Sequence, residues 1–99
     1  MDDDLVRRQL CVTNPEGLHA RPAAKLVQLA NQFQCEITLV RGSQRHDAKS
    51  IMDLMTLAAE QGSKLLLEAR GCDAHVAADA IEKLFVEGLG DLDANPDDA

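Results

Sequence analysis

Three short stretches of this chain alternate apolar and polar residues, and three longer ones repeat their apolar residues at helical spacing. The two kinds of stretch are interleaved, which constrains the fold more than any other feature. Arg8, Leu10 and Val12 alternate with Gln9, Cys11 and Thr13, a strand with Leu10 and Val12 inward. Asn14-Pro15-Glu16-Gly17 has the composition of a loop. A helix follows, beginning within a residue or two of His19, with Pro22 in its first turn, where a missing N–H costs nothing. Its face is Ala23, Leu26, Val27, Ala30 and Phe33. Cys35, Ile37 and Leu39 mark a second strand, and Gly42-Ser43 turns it into a short third strand near residues 44–47.

Ser50, with Asp53 three residues on, reads as a capping box opening a short helix through about Ala59. Leu65, Leu67 and Ala69 are the inward set of a last strand. Asp73 is placed to cap a final helix with Val76, Ala77, Ala80, Ile81, Leu84 and Phe85 on its core face, and Gly88 and Gly90 end it. The order is βαββαβα. A central hairpin, with helices long enough to cover one face, predicts an α+β open-faced β-sandwich: a four-stranded antiparallel sheet with three helices on one side. Outward positions such as Glu36, Thr38 and Glu68 suit the wet face. Val40 and Leu66 do not fit it cleanly.

Charge delimits the domain. The 99 residues carry a formal charge of −7. All of it is accounted for by two acidic ends, residues 1–6 (Asp2, Asp3, Asp4) and residues 90–99 (Asp91, Asp93, Asp97, Asp98). Residues 7–89 are neutral overall and form the expected domain, flanked by acidic tails. A basic groove for nucleic acid is not expected, and with no Trp, no Tyr and two Phe a base-stacking platform is not expected either. No apolar run approaches a membrane span, and the start lacks the basic and apolar regions of a signal peptide. The three cysteines, Cys11, Cys35 and Cys72, are widely spaced, which argues for reduced cytoplasmic thiols and against a disulfide framework or zinc site. Cys72, just before a helix, is the most exposed to reaction. His46 and His75 have no local ligand spacing, so no metal or cofactor is expected.

His19 lies between a glycine-containing loop and a helix start, in Gly17-Leu18-His19-Ala20-Arg21-Pro22-Ala23. A helix N-terminus presents unpaired N–H groups and the positive end of a dipole. That field, with Arg21 two residues on, favours the uncharged and nucleophilic form of the ring. If the ring takes a phosphoryl group, about two negative charges arrive where the helix end and Arg21 would receive them.

The segment Gly17–Ala24 resembles the active-site segment of the HPr family, the histidine phosphocarriers of the bacterial phosphoenolpyruvate-dependent phosphotransferase system. Lys49-Ser50-Ile51-Met52-Asp53-Leu54-Met55 is similar to that family's short helix around its regulatory serine. The two motifs sit at the family's spacing, and the resemblance covers nearly all of residues 7–89. It implies a phosphoryl carrier for sugar uptake, not an enzyme, with a phosphohistidine intermediate on His19 Nδ1. Phospho-Enzyme I would be the donor and enzyme IIA domains the acceptors. Arg21 becomes the charge partner of the phosphate. Ser50 becomes the target of an HPr kinase/phosphorylase and a link to a catabolite-control regulator, giving an alternative reading as a regulatory module in carbon catabolite or nitrogen control. Ile51, Met52 and Met55 become a docking patch, with Ala20 and Pro22 at its rim and Leu54 and Leu57 buried. A monomer is expected, since so small a patch suits transient docking. Three departures stand out: Glu16 where relatives often have a neutral residue, Asp53 where they often have Lys or Gly, and Ala58-Ala59 where a glycine is common.

Overall fold

The computed structural model describes residues 4–90. The elements run β1 (Leu5–Cys11), α1 (Ala20–Ala30), β2 (Glu36–Arg41), β3 (Gln44–Asp47), α2 (Ile51–Leu57), β4 (Lys64–Arg70) and α3 (Ala74–Val86), with a single 3-10 turn at Gly88–Gly90. The sheet order is β1-β4-β2-β3, and every pairing is antiparallel. This is the open-faced βαββαβα sandwich that the interleaved periodicities predict.

The register brings the inward sets together. Leu10 faces Leu65, Val6 faces Ala69, Ile37 faces Ala69 and Leu39 faces Leu67. Helices cover these residues in one aliphatic core that also takes in Leu26, Leu54, Ile81 and Phe85. On the open face Val40 pairs with Leu66, and each is half-buried. The two residues that do not suit a wet face are therefore each other's neighbours, which shields part of their apolar surface.

Several boundaries differ from expectation, each for a physical reason. β1 begins at Leu5, inside the segment that its charge assigns to a tail. Leu5 and Val6 pair with Arg70 and Ala69, and the Gly71 N–H donates to the Asp4 carbonyl at 3.0 Å. Asp2, Asp3 and residues 91–99 lie outside the described residues. α2 ends at Leu57, because Ala58 turns left-handed (φ 49°, ψ 43°). Glycine takes that conformation without the Cβ penalty, so Ala58 ends the helix at a small cost in backbone strain. Val76 is 62% exposed and not in the core. The buried set of α3 is Ala74, Ala77, Ala78, Ile81 and Phe85, and at about 100° per residue Val76 stands on the opposite side of the helix from Ala74. Small alanines, not the larger valine, mark the packed face.

The caps also differ. Ser50 caps α2, its Oγ accepting from the Asp53 N–H at 3.2 Å. The return bond of a capping box is not made, because the Asp53 carboxylate turns to the Asp47 N–H (2.8 Å) and His46 Nδ1 (2.9 Å). Asp73 occupies the N-cap of α3 without capping it. Its carboxylate instead accepts from the N–H groups of Gln34 (2.8 Å) and Cys35 (2.9 Å), tying the start of α3 to the entry of β2. Gly71 makes this junction possible: at φ +143° it lies so close to Cys35 that a Cβ would come within 2.8 Å of the Cys35 Cβ.

These bonds hold the Asp73 carboxyl below the ordinary carboxylate range, chiefly through the Gln34 N–H. Asp53 is lowered first by the Asp47 N–H and then by His46, and Glu68 by Arg45 and then Arg7. A carboxyl depressed in the folded state contributes stability above its unfolded pKa and loses it as pH falls through the folded value. Wild-type protein is therefore expected to lose stability as pH drops below about 4. Asp73→Asn, which can accept only one of the two N–H bonds well, is expected to flatten that slope. Thermal melts at neutral and acid pH check this, and an unchanged slope contradicts it.

Candidate functional site

The loop between β1 and α1 is fixed from inside. The Val12 N–H donates to the Ser63 carbonyl (2.9 Å) and the Gly62 N–H to the Val12 carbonyl (2.7 Å). Asn14 is fully buried, and its side-chain amide donates to the Gly17 carbonyl while the Gly17 N–H donates back to the Asn14 carbonyl (3.1 Å). Gly17 has φ +73°, and a Cβ there would collide with the Ala59 carbonyl oxygen. The Leu18 N–H donates to that same oxygen at 2.8 Å, and the Leu18 side chain is buried. The loop is thus bolted to the turn after α2 immediately before it presents His19.

His19 is the N-cap of α1, in extended conformation (φ −89°, ψ −168°), and its side chain makes no capping bond. Its carbonyl accepts from the Ala23 N–H at 2.9 Å. The ring is about one-third exposed (35%), with Glu16 Oε1 3.6 Å from Nε2. Ala20 and Arg21, both exposed, open the helix, where a helix has no carbonyl of its own to offer their N–H groups. Pro22, placed on the docking rim by sequence, is instead fully buried. It shares the i, i+4 row of Leu26 and Ala30 and faces the core.

A shallow hollow beside the ring is lined by Glu16, Leu18, His19, Met55, Ala58, Ala59 and Glu60. It brings the second motif to the first. Among the described residues Met52 is the most exposed large apolar side chain (76%), with Ile51 and Met55 partly exposed, whereas Leu54 and Leu57 are buried. The short helix therefore has the inward and outward sets that the resemblance implies. Ser50, half-buried, begins it.

His46, which the sequence marks only by its lack of ligand spacing, has a structural role. It is buried on β3, its Nδ1 against Asp53 Oδ1, and it joins the hairpin to the first turn of α2. The signal was present: a two-residue turn at Gly42-Ser43 sets the register, and counting back places His46 opposite inward Leu39. His75 stands exposed near Asp4, with Nε2 3.7 Å from Oδ2. All three cysteines are free. Burial pushes the Cys35 thiol up to about 11, with the nearby Asp73 carboxylate adding to it, and Cys11 and Cys72 are exposed. Among the described residues no three His, Cys, Asp or Glu side chains converge on a metal position, and no helix is long and apolar enough to cross a membrane.

Residues 6–87 match the family described as PTS HPr component phosphorylation site. The chain belongs to this family. It is 48% identical over 81 residues to the phosphocarrier protein HPr of Treponema pallidum, covering 82% of this chain and 92% of that one. It is 43% identical over 84 residues to the phosphocarrier protein NPr of Proteus mirabilis, covering 83% and 92%. The crystal structure of an HPr from Thermoanaerobacter tengcongensis superposes with a TM-score of 0.83 at 36% identity, over 87% of this chain and 97% of that one. In this chain's site Glu16 stands against the ring, and Asp53 sits in the first turn of the short helix.

Proposed function

We propose that this protein is a phosphocarrier of the phosphotransferase system that takes a phosphoryl group on His19 Nδ1 from phospho-Enzyme I and delivers it to enzyme IIA domains for sugar uptake. The observation that carries the reading is the placement of a partly exposed imidazole at the mouth of α1, beside the apolar surface of Ile51, Met52 and Met55. In each transfer one P–N bond breaks on the donor as another forms on the acceptor. The protein's part is alignment and charge compensation. Arg21 and the first-turn N–H groups stabilise the incoming charge. Ala20, Ile51, Met52 and Met55 supply the docking surface, and the unbranched, polarizable methionines adapt to more than one partner. Pro22 contributes by shaping the helix start, not by contact. A monomer in the cytoplasm fits such serial, transient encounters.

The test is transfer itself. Incubation with phosphoenolpyruvate, magnesium and Enzyme I is expected to yield one acid-labile phosphate, mapped to His19, which a IIA domain then removes. Failure to load with any Enzyme I sinks the carrier reading.

A second reading is supported by Ser50, which caps α2 next to the same apolar patch. There an HPr kinase/phosphorylase would place negative charge beside the docking face, for carbon catabolite or nitrogen control. Asp53 in the same turn repels that charge, so modification is expected to be slower in wild type than in Asp53→Gly. Acid-stable phosphate lost in Ser50→Ala supports this role, and its absence after incubation with kinase and ATP removes it.

A further inference from the structure

Glu16 lies three residues before His19, and its carboxylate faces ring nitrogen Nε2, not Nδ1. A neutral imidazole has one nitrogen with a proton and one with a lone pair, and the partner of the first decides which is which. We propose that Glu16 is a positioning residue for phosphoryl transfer: its carboxylate holds the proton of His19 on Nε2, leaves the Nδ1 lone pair to attack phosphorus, and keeps that proton in place once the ring is phosphorylated. This rests on the carrier reading of His19.

The backbone supports the pairing. The Asn14–Gly17 bonds, the seat of Gly17 against Ala59 and the Leu18–Ala59 hydrogen bond set residues 14–19 in one arrangement. The backbone of Glu16 and His19 is thus set on one side of the hollow. Their 3.6 Å separation is longer than a hydrogen bond. Such contacts are often long in an unloaded site and tighten in the reacting complex. The Glu16 side chain, 78% exposed, has room to close it. Among the described residues that line the hollow the other charged group is Glu60, from the turn after α2, while Met55, Ala58 and Ala59 are neutral, and Arg21 stands exposed two residues beyond His19 at the start of α1.

The proton inventory gives the pairing its use. When Nδ1 attacks, the Nδ1–P bond forms and the donor's P–N bond breaks. No proton enters or leaves, and the ring, with Nε2 still protonated, carries positive charge beside the Glu16 carboxylate. On delivery the Nδ1–P electron pair returns to Nδ1, and a neutral imidazole departs. Had the phosphorylated ring lost its Nε2 proton, the leaving group would be imidazolate, a far poorer one. Glu16 therefore keeps the phosphoryl group transferable to higher pH.

The test loads His19 with phosphoramidate, which needs no partner protein, and follows the phosphorylated ring by 15N NMR while phosphate loss is timed against pH. Glu16→Gln, isosteric and at an exposed position, is expected to lower the pH at which the ring gives up its Nε2 proton by about half a unit. Above that midpoint, phosphate loss is expected to slow about two- to threefold. Glu60→Gln is expected to move the midpoint less. Superimposable profiles for wild type and Glu16→Gln overturn the proposal, as does an equal effect of Glu60→Gln, which would make the hollow's general acidity the cause. If phosphoramidate loading gives the expected shift but no Enzyme I loads His19, the pairing stands and the carrier reading falls.

Discussion

His19→Ala is expected to accept no transferable phosphate from Enzyme I while folding as well as the wild type. Two histidines remain to take the group, and each is a control. His46 is buried, with Nδ1 engaged by Asp53, so a donor protein cannot reach it. His75 is exposed and, like His19, lies at the start of a helix. It does not share the hollow that Met55 lines beside His19, and it faces Asp4. Phosphate appearing on His75 in the variant would show that a helix end alone is enough, against the account given above. The fold is expected to survive because the His19 side chain makes no capping bond. Histidine is not among the residues that best cap helices. His19→Asn is accordingly expected to be more stable than wild type by about 1 kcal/mol and equally inactive. Thermal melts and a transfer assay on the same samples check both halves. A stability optimum at a residue that cannot carry phosphate is what a site kept for chemistry should show.

Gly17→Ala is expected to have the largest effect on stability of any single methyl addition near the site. The left-handed backbone costs an alanine about 1–2 kcal/mol, and displacing the Ala59 carbonyl adds about 1–3 kcal/mol of overpacking. Against the roughly 5–15 kcal/mol of a domain this size, a loss of about 2–5 kcal/mol lowers the melting temperature by about ten degrees or more. Gly42→Ala separates the two contributions. It shares a positive φ (+62°) but would meet nothing within 4 Å, so only the conformational part should appear. Transfer should fail in Gly17→Ala even where the protein stays folded, since the loop cannot keep both its seat on Ala59 and the Leu18 hydrogen bond. Equal melting temperatures for the two variants would mean that the loop yields easily and that Gly17 is not what seats it.

Periodicity was enough to read the architecture, because alternation at Ile37 and Leu39 or at Leu65 and Leu67 admits one inward face. Helix α3 was less legible. Its packing rests on Ala74 and Ala78, whose hydrophobicity is too slight to outweigh the misplaced Val76. The capping residues illustrate a different limit. Ser50 acts locally and was readable, but Asp53 and Asp73 spend their carboxylates on the β3 strand and on the entry to β2. Only the folded chain brings those donors near. At the candidate site, the exposure of His19, Ile51, Met52 and Met55 agrees with what the two motifs imply. That of Pro22 does not, since the side of α1 it occupies depends on how that helix rolls against the core. Asn14 carried no motif of its own. Its buried bond to Gly17 could have been suspected only from the side-chain amide's habit of closing tight turns.

The two outer strands of the sheet, β1 and β3, each leave one row of backbone groups unpaired by another strand. β3 is only four residues long. On β1, Arg8 points toward the helices and reaches Asp79 and Glu82 (2.9 and 2.8 Å), while Arg7 and Arg45 converge on Glu68 across the open face. A second copy adding itself strand to strand would have to strip water from these guanidinium groups and accommodate a buried-facing cation along one margin. The guanidinium groups along the borders of the sheet thus oppose the strand-to-strand addition of a second copy.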